Sequence, residues 1–262
     1  MKKATSYDGT SIAYFRHGSG SPLLLVAGTG AANPIAWPAF PALETHFTVY
    51  TIDRRGRGDS GDGPAYAIER EGEDIAAVID ALGEPVDLLA HSFGGVCALE
   101  AALLTRNLRK LVLYEGVPIP GAPMFPQGVA GRLQTLLDVG DTEGALTLHY
   151  RENAGMRPTE IEQLRSSPAW PERLATVQTI PREMRALEEH QFDPERFDEL
   201  ETPVLLLLGG DSPQFVIDAT ETVAAALPNS RINVLPGQQH IAMYTAPSMF
   251  VDAVLEFLNE PV

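Results

Sequence analysis

A serine hydroxyl becomes a nucleophile only when a neighbouring base takes its proton, and that base needs an acid to hold it in orientation. One serine of this chain sits where such activation is useful. In Leu88-Leu89-Ala90-His91-Ser92-Phe93-Gly94-Gly95 an apolar strand must turn at once into a helix, which sets Ser92 on a sharp, strained bend. Residues two before and two after such a bend nearly touch, so they must be small; Ala90 and Gly94 meet that need. The bend lifts the Ser92 hydroxyl above the strand and aims the first helical N–H groups at the same point.

Two histidines compete for the role of base. His91 is adjacent, but successive side chains at a strand end point apart. His240 follows the apolar stretch Arg231–Leu235 after a short Pro236-Gly237-Gln238-Gln239 loop, just before the helix opened by Ala246-Pro247, and is the better base. Two carboxylates could orient it. Asp211 lies in the turn after Val204–Leu208, where aspartate is also a common turn residue, and Glu115 ends Leu111–Tyr114. Spacing does not separate them, and both stay open.

These residues need strand ends to carry them. Lys3–Tyr7, a turn at Asp8-Gly9 and Ser11–Phe15 read as a hairpin. Leu23–Val26, Phe47–Ile52, Val86–Ala90, Leu111–Tyr114, Val204–Leu208 and Arg231–Leu235 read as buried strands. Between them run helical patterns: the stripe Ile75, Val78, Ile79, Leu82, then Gly94–Thr105, Ile217–Leu227 and Pro247–Leu258. Continuous apolar strands alternating with helices predict an α/β fold, a mostly parallel doubly wound sheet with helices on both faces. The rhythm breaks after Glu115. Val117, Pro118, Pro120, Pro123 and Pro126 give an irregular entry, and helices are expected over Gly128–Leu137, Thr142–Asn153, Thr159–Arg165 and Pro171–His190. The predicted organisation is a core of residues 1–115 and 203–262 with a helical cap insertion, 116–202. Ligands of open α/β sheets bind beyond the C-terminal strand ends, where Gly28-Thr29-Gly30, Asp53, Ser92, Glu115, Asp211 and His240 fall.

With Ser92 on its bend and His240 after the last strand, the chain resembles the α/β-hydrolase family in its serine-nucleophile branch, from Leu23 to Leu258. Ala90 stands for the first glycine of the family's Gly-x-Ser-x-Gly elbow. The family commonly places its acid after the strand that precedes Asp211, three residues past a glycine. Counted from Gly209 that position is Ser212, and counted from Leu208 it is Asp211. Some branches, certain haloalkane dehalogenases among them, carry the acid where Glu115 stands. The resemblance also implies an oxyanion hole of the Thr29 and Phe93 amides, although Ala27 replaces the usual histidine of that loop. It implies a cofactor-independent serine hydrolase, esterase-like or haloperoxidase-like, cleaving an ester or related acyl compound through an acyl-enzyme. Perhydrolysis, C–C hydrolysis, cyanohydrin cleavage and a slow-turnover ligand receptor are the alternatives on the same fold.

A dinucleotide-dependent oxidoreductase is the rival of another class. Gly28-Thr29-Gly30-Ala31-Ala32-Asn33 approaches a phosphate-binding fingerprint, with Asp53 about 20 residues on. Asn33 replaces the third glycine, and Pro34 and Pro38 delay the helix that would hold a pyrophosphate. Asp53-Arg54-Arg55-Gly56-Arg57-Gly58-Asp59-Ser60 is instead similar to a structural turn of the hydrolase family.

The 262 residues carry 35 acidic and 19 basic side chains, a net charge of −16 that excludes nucleic acid and anionic membrane surfaces as partners. Cys97 is alone and read as a packing residue, and the six histidines show no metal-ligand spacing, so neither metal nor cofactor is expected. No apolar run is long enough to span a bilayer or form a signal peptide, which points to a soluble, cytoplasmic protein with a small-molecule substrate. No oligomeric state is assigned. His149 and His190 are expected to face solvent; Trp37, Met124, Phe125 and Trp170 are expected to pack, with the pocket as their other use.

Overall fold

The computed structural model describes residues 1–31, 33–117 and 128–261. Eight strands form one sheet: β1 (Lys2–Thr5), β2 (Ser11–Gly18), β3 (Ser21–Val26), β4 (Phe47–Ile52), β5 (Val86–His91), β6 (Leu108–Tyr114), β7 (Val204–Gly209) and β8 (Ser230–Leu235). Their order is β1-β2-β4-β3-β5-β6-β7-β8; the β1–β2 hairpin joins antiparallel and every pair from β4 onward in that order is parallel. The helices are α1 (Phe40–His46), α2 (Ile68–Leu82), α3 (Phe93–Ala102), α4 (Val129–Asp138), α5 (Thr142–Glu152), α6 (Pro158–Arg165), α7 (Trp170–Thr176), α8 (Ile180–Glu189), α9 (Gln214–Ala226), α10 (Ala242–Thr245) and α11 (Pro247–Asn259).

The unbroken apolar strands follow from burial on both faces. Leu24, Val26, Leu88, Ala90, Leu111, Leu113 and Leu206 pack under α2, α3 and α9, while Leu23, Leu25, Leu89, Val112, Leu205 and Leu207 pack under α1, α10 and α11. Consecutive residues thus serve opposite layers. β6 starts three residues before the apolar run Leu111–Tyr114. Its polar opening is paired away: Arg109 meets Asp87, and buried Lys110 donates to the Phe257 and Glu260 carbonyls, at 2.7 and 2.6 Å, closing the C-terminus of α11. The short helices α1 and α10 are too brief to show an apolar period in the sequence.

Between β6 and β7 the described residues form helices and no strand, with a separate apolar cluster including Leu133, Leu146, Ile161, Trp170, Val177 and Met184. The single helix expected over Pro171–His190 is two. A 3-10 turn, Val177–Thr179, separates α7 from α8, because Pro181 cannot donate an N–H and so occupies the first turn of a new helix. The expected irregular entry at Pro118–Pro126, with Met124 and Phe125, lies outside the described residues. Trp170 packs in the helical cluster.

The block 53–60 ties this helical layer to the sheet. Arg54 meets Glu71 at 3.2 Å and Glu183 of α8 at 2.9 Å, Arg57 meets Glu183 at 2.5 Å, and all four side chains are buried. Arg54 also stacks over the Phe93 ring, 4.7 Å from its centroid. Asp53 turns back onto the Asp59 amide at 2.9 Å, bracing the loop. Burial opposes ionisation of Glu183, but the Arg54 and Arg57 guanidiniums overcome it and hold its carboxyl down at about 2. A native value below the unfolded one gives stability that is complete above the ordinary glutamate range and lost as pH falls towards 2. Glu183→Gln should cost roughly 3–5 kcal/mol at neutral pH, since it leaves the buried Arg57 guanidinium without a carboxylate and Arg54 with Glu71 alone. Urea titrations across pH should show wild type and variant converging between about pH 4.5 and 2; parallel curves would show that Glu183 is not the titrating contact.

Candidate active site

β5 ends at His91 and α3 begins at Phe93, so Ser92 alone makes the turn, at φ 54° and ψ −129°. A non-glycine residue there is strained, and the surroundings impose it. A Cβ on Gly116 would lie 2.6 Å from the Gly95 Cα, so backbone meets backbone where the elbow passes the end of β6. A Cβ on Gly28 would lie 2.7 Å from the Ser92 Cβ, so the loop after β3 reaches the serine only as glycine. Ala90 is fully buried in the apolar layer, where its methyl fits.

Of the two carboxylates left open by spacing, the structure brings Glu115 to the histidine. Its Oε2 accepts from His240 Nδ1 at 2.8 Å, while Oε1 accepts from the Gly209 amide at 2.9 Å and from the Ser212 hydroxyl. Glu115 is held at φ 43°, a second strained residue at a strand end. Burial alone would raise its pKa; the bonds from His240, Ser212 and Gly209 instead leave it below the ordinary glutamate value, so it stays ionised. Asp211 is exposed, and among the described residues its carboxylate makes no hydrogen bond or ion pair with His240. Only its backbone is engaged, the N–H on the Gln238 carbonyl and the C=O on the Gln239 amide, both at 2.9 Å. These contacts are those of a turn residue. At the position counted from Gly209, Ser212 supports the carboxylate of Glu115.

The residue before each strained position holds the histidine loop from the opposite layer. His91, pointing away from Ser92, donates from Nε2 to the His240 carbonyl at 2.8 Å, its ring 4.6 Å from the His240 ring. Burial, with His240 beside it, pushes His91 well below the usual imidazole range, so it is neutral and donates through one nitrogen. Tyr114, before Glu115, donates to the Gln239 carbonyl and accepts from the Ala242 amide at 2.9 Å. No sequence signal marked these two straps beyond their place at strand ends.

Ser92 and His240 line one cavity of about 1050 Å³ between the sheet and the helical layer. Among the described residues no hydrogen bond joins them directly, a spacing that substrate binding closes in many catalytic sites. Thr29 and Phe93 line the same space, and neither amide has a protein acceptor among the described residues. Two uncommitted N–H groups beside a serine can receive a developing oxyanion. The Thr29 hydroxyl also faces this wall, buried and without a partner. Trp37 both packs and lines the cavity. Two expectations fail here. His149 is buried and lines the cavity, its Nδ1 3.0 Å from the Asn153 amide nitrogen and its pKa lowered to about 4 by burial. His190 is also largely covered, 3.7 Å from Glu69 and 3.9 Å from Glu100. His149 is covered where α5 meets the Gly30 loop and α8, and His190 where the end of α8 meets α2 and α3. Cys97 is buried inside α3, as a packing residue. No cluster of metal ligands occurs among the described residues, nor a helix long and apolar enough to cross a membrane.

The fold has counterparts among known proteins. Residues 23–253 match the family described as "Alpha/beta hydrolase family". A relative from Caulobacter sp. (strain K31), named "Putative carbamate hydrolase RutD", is 28% identical over 253 residues, covering 90% of each chain. The crystal structure of an alpha/beta hydrolase from Sphaerobacter thermophilus is 34% identical with TM-score 0.82, over 98% of this chain and 100% of that one. An esterase from Rhodococcus sp. is 25% identical with TM-score 0.78, over 99% and 98%.

The close approach at the elbow predicts a contrast between glycines. Gly116→Ala should cost roughly 1–3 kcal/mol in urea unfolding, because backbone must move. Gly131→Ala, inside α4 with open space around it, should instead stabilise by roughly 0.5–1 kcal/mol. Equal effects at both positions would refute the contact described.

Proposed function

The chain belongs to the alpha/beta hydrolase family, and from that premise we propose that it is a cofactor-independent serine hydrolase cleaving an ester or related acyl compound. The observation that carries the reading is the His240–Glu115 pair on the wall of the cavity that holds Ser92. With Nδ1 bound to a carboxylate, the remaining nitrogen of His240 is the one left to take a proton.

In the proposed cycle His240 accepts the Ser92 proton as the hydroxyl oxygen bonds to the substrate carbonyl carbon. The carbonyl electron pair moves to oxygen, which the Thr29 and Phe93 amides receive; each such donor contributes roughly 2.7–4 kcal/mol in comparable sites. Glu115 stabilises the imidazolium without taking its proton. Collapse of the intermediate expels the alcohol, protonated by His240, and leaves an acyl group on Ser92. Water then attacks, giving its proton to His240, and releases the acid and the free serine. The named activities of relatives, carbamate and ester hydrolysis, both break an acyl bond and fit this sequence of steps.

A fluorophosphonate probe should label Ser92 stoichiometrically, and Ser92→Ala should abolish both labelling and ester turnover. Glu115→Gln should lower kcat by roughly 10³–10⁴-fold, as loss of the orienting carboxylate does in serine triads, while Asp211→Asn stays near wild type. An unlabelled Ser92, or an Asp211→Asn defect as deep as that of Glu115→Gln, would overturn the assignment.

A further inference from the structure

Four arginines are buried, and three of them face carboxylates: Arg54 with Glu71 and Glu183, Arg55 with Asp74 and Asp8, Arg57 with Glu183. The fourth, Arg173 on α7, is 3% exposed, lines the Ser92 cavity and has no carboxylate against it among the described residues. Its Nη1 donates to the Tyr150 hydroxyl at 2.7 Å and the Gly30 carbonyl at 3.4 Å, and its Nη2 to the Tyr244 hydroxyl at 2.6 Å. These acceptors are neutral, and burial pushes both phenols further from ionisation. Nε has no hydrogen-bond partner among the described residues. The adjacent Glu172 is spent on the Asn33 amide, at 2.7 Å.

A buried charge without a counter-ion is costly; each of the other three buried guanidiniums faces a carboxylate, whereas Arg173 has only neutral acceptors and the Tyr150 and Tyr244 rings, 5.8 and 5.6 Å away. The carboxylates along the cavity are committed or peripheral: Glu115 holds His240, Glu152 pairs with Arg132 and Arg151, and Glu188 is exposed at the rim. The segment 118–127 contributes no acidic side chain. The missing anion therefore has to come from outside the chain. Arg55 binds Asp74 through Nε at 2.7 Å and Nη2 at 2.7 Å, which shows how a guanidinium edge containing Nε receives a carboxylate.

We propose that Arg173 anchors a carboxylate carried by the substrate, so that this enzyme acts on small acyl compounds bearing a free acid group, half-esters of short dicarboxylic acids being the simplest. Arg173 touches Gly30, the residue after Thr29, which sets the anchored carboxylate on the oxyanion-hole side of the cavity. The unpartnered Thr29 hydroxyl on the same wall is a further donor for it. The proposal rests on the serine-hydrolase reading and narrows it to one substrate class.

The test is a pair of matched substrates, monomethyl and dimethyl glutarate, followed by acid release for wild type, Arg173→Met, Arg173→Lys and Ser92→Ala. Wild type should favour the half-ester in kcat/KM by about ten- to a hundredfold, the range of a hydrogen-bonded charge pair. Arg173→Met should collapse that ratio towards one, chiefly through KM. Arg173→Lys should fall between, since an ammonium keeps the charge without the planar fork. Glutarate itself should inhibit wild type competitively, a readout that stands even if Arg173→Met fails to fold. A wild-type ratio near one without glutarate inhibition, or a ratio unmoved in a folded Arg173→Met, would overturn the anchor. Turnover surviving in Ser92→Ala would instead overturn the serine reading, so the two failures are distinct.

Discussion

The hydrogen bond between Glu115 and His240 joins residues 125 positions apart, and much of the surrounding architecture exists to permit it. A carboxylate buried there would take up a proton if left alone. It stays ionised because the Gly209 amide, the Ser212 hydroxyl and the His240 ring converge on its two oxygens. That convergence needs β6 and β7 side by side, with the loop after β8 folded over both. It also needs Glu115 in a left-handed conformation that a glutamate adopts only under constraint.

Strand alternation supplies the constraint. At the ends of β5 and β6 the chain places a pair of residues, His91-Ser92 and Tyr114-Glu115, whose side chains point to different layers. The second of each pair faces the cavity. The first holds the histidine loop, His91 at the His240 carbonyl and Tyr114 at the Gln239 carbonyl and Ala242 amide, with His91 also on the cavity wall. His240 is thus positioned by the neighbours of Ser92 and Glu115. Rigid placement of this kind is what lets binding energy be used on the transition state rather than on ordering loops.

Buried charge organises the other side of the cavity. Arg54 and Arg57 lock α8 to the loop after β4 through Glu183, and Arg54 also covers the Phe93 ring at the elbow. The helical layer is therefore coupled to the serine turn by buried ion pairs. Arg173 breaks the pattern, held by phenols and a carbonyl and by no acid among the described residues. The contrast separates charge that fastens the fold from charge the fold leaves available to a ligand.

Local chemistry made the succession of apolar strands, the mostly parallel sheet they imply and the serine bend legible in the sequence, because periodicity and small-residue spacing act over a few positions. The same short range explains what was not legible. Asp211 and Glu115 both sit at strand ends with the right chemistry, and only the register of β6 against β7 decides which carboxylate meets His240. His149 and His190 looked like surface residues, since their burial comes from helices packing on elements far along the chain. The straps at His91 and Tyr114, the pairing of Lys110 and the solitary charge of Arg173 are likewise products of distant contacts. Residue types and local periods set which groups could react; only long-range packing set which of them meet, because a hydrogen bond across more than a hundred residues leaves no trace in the spacing of either end.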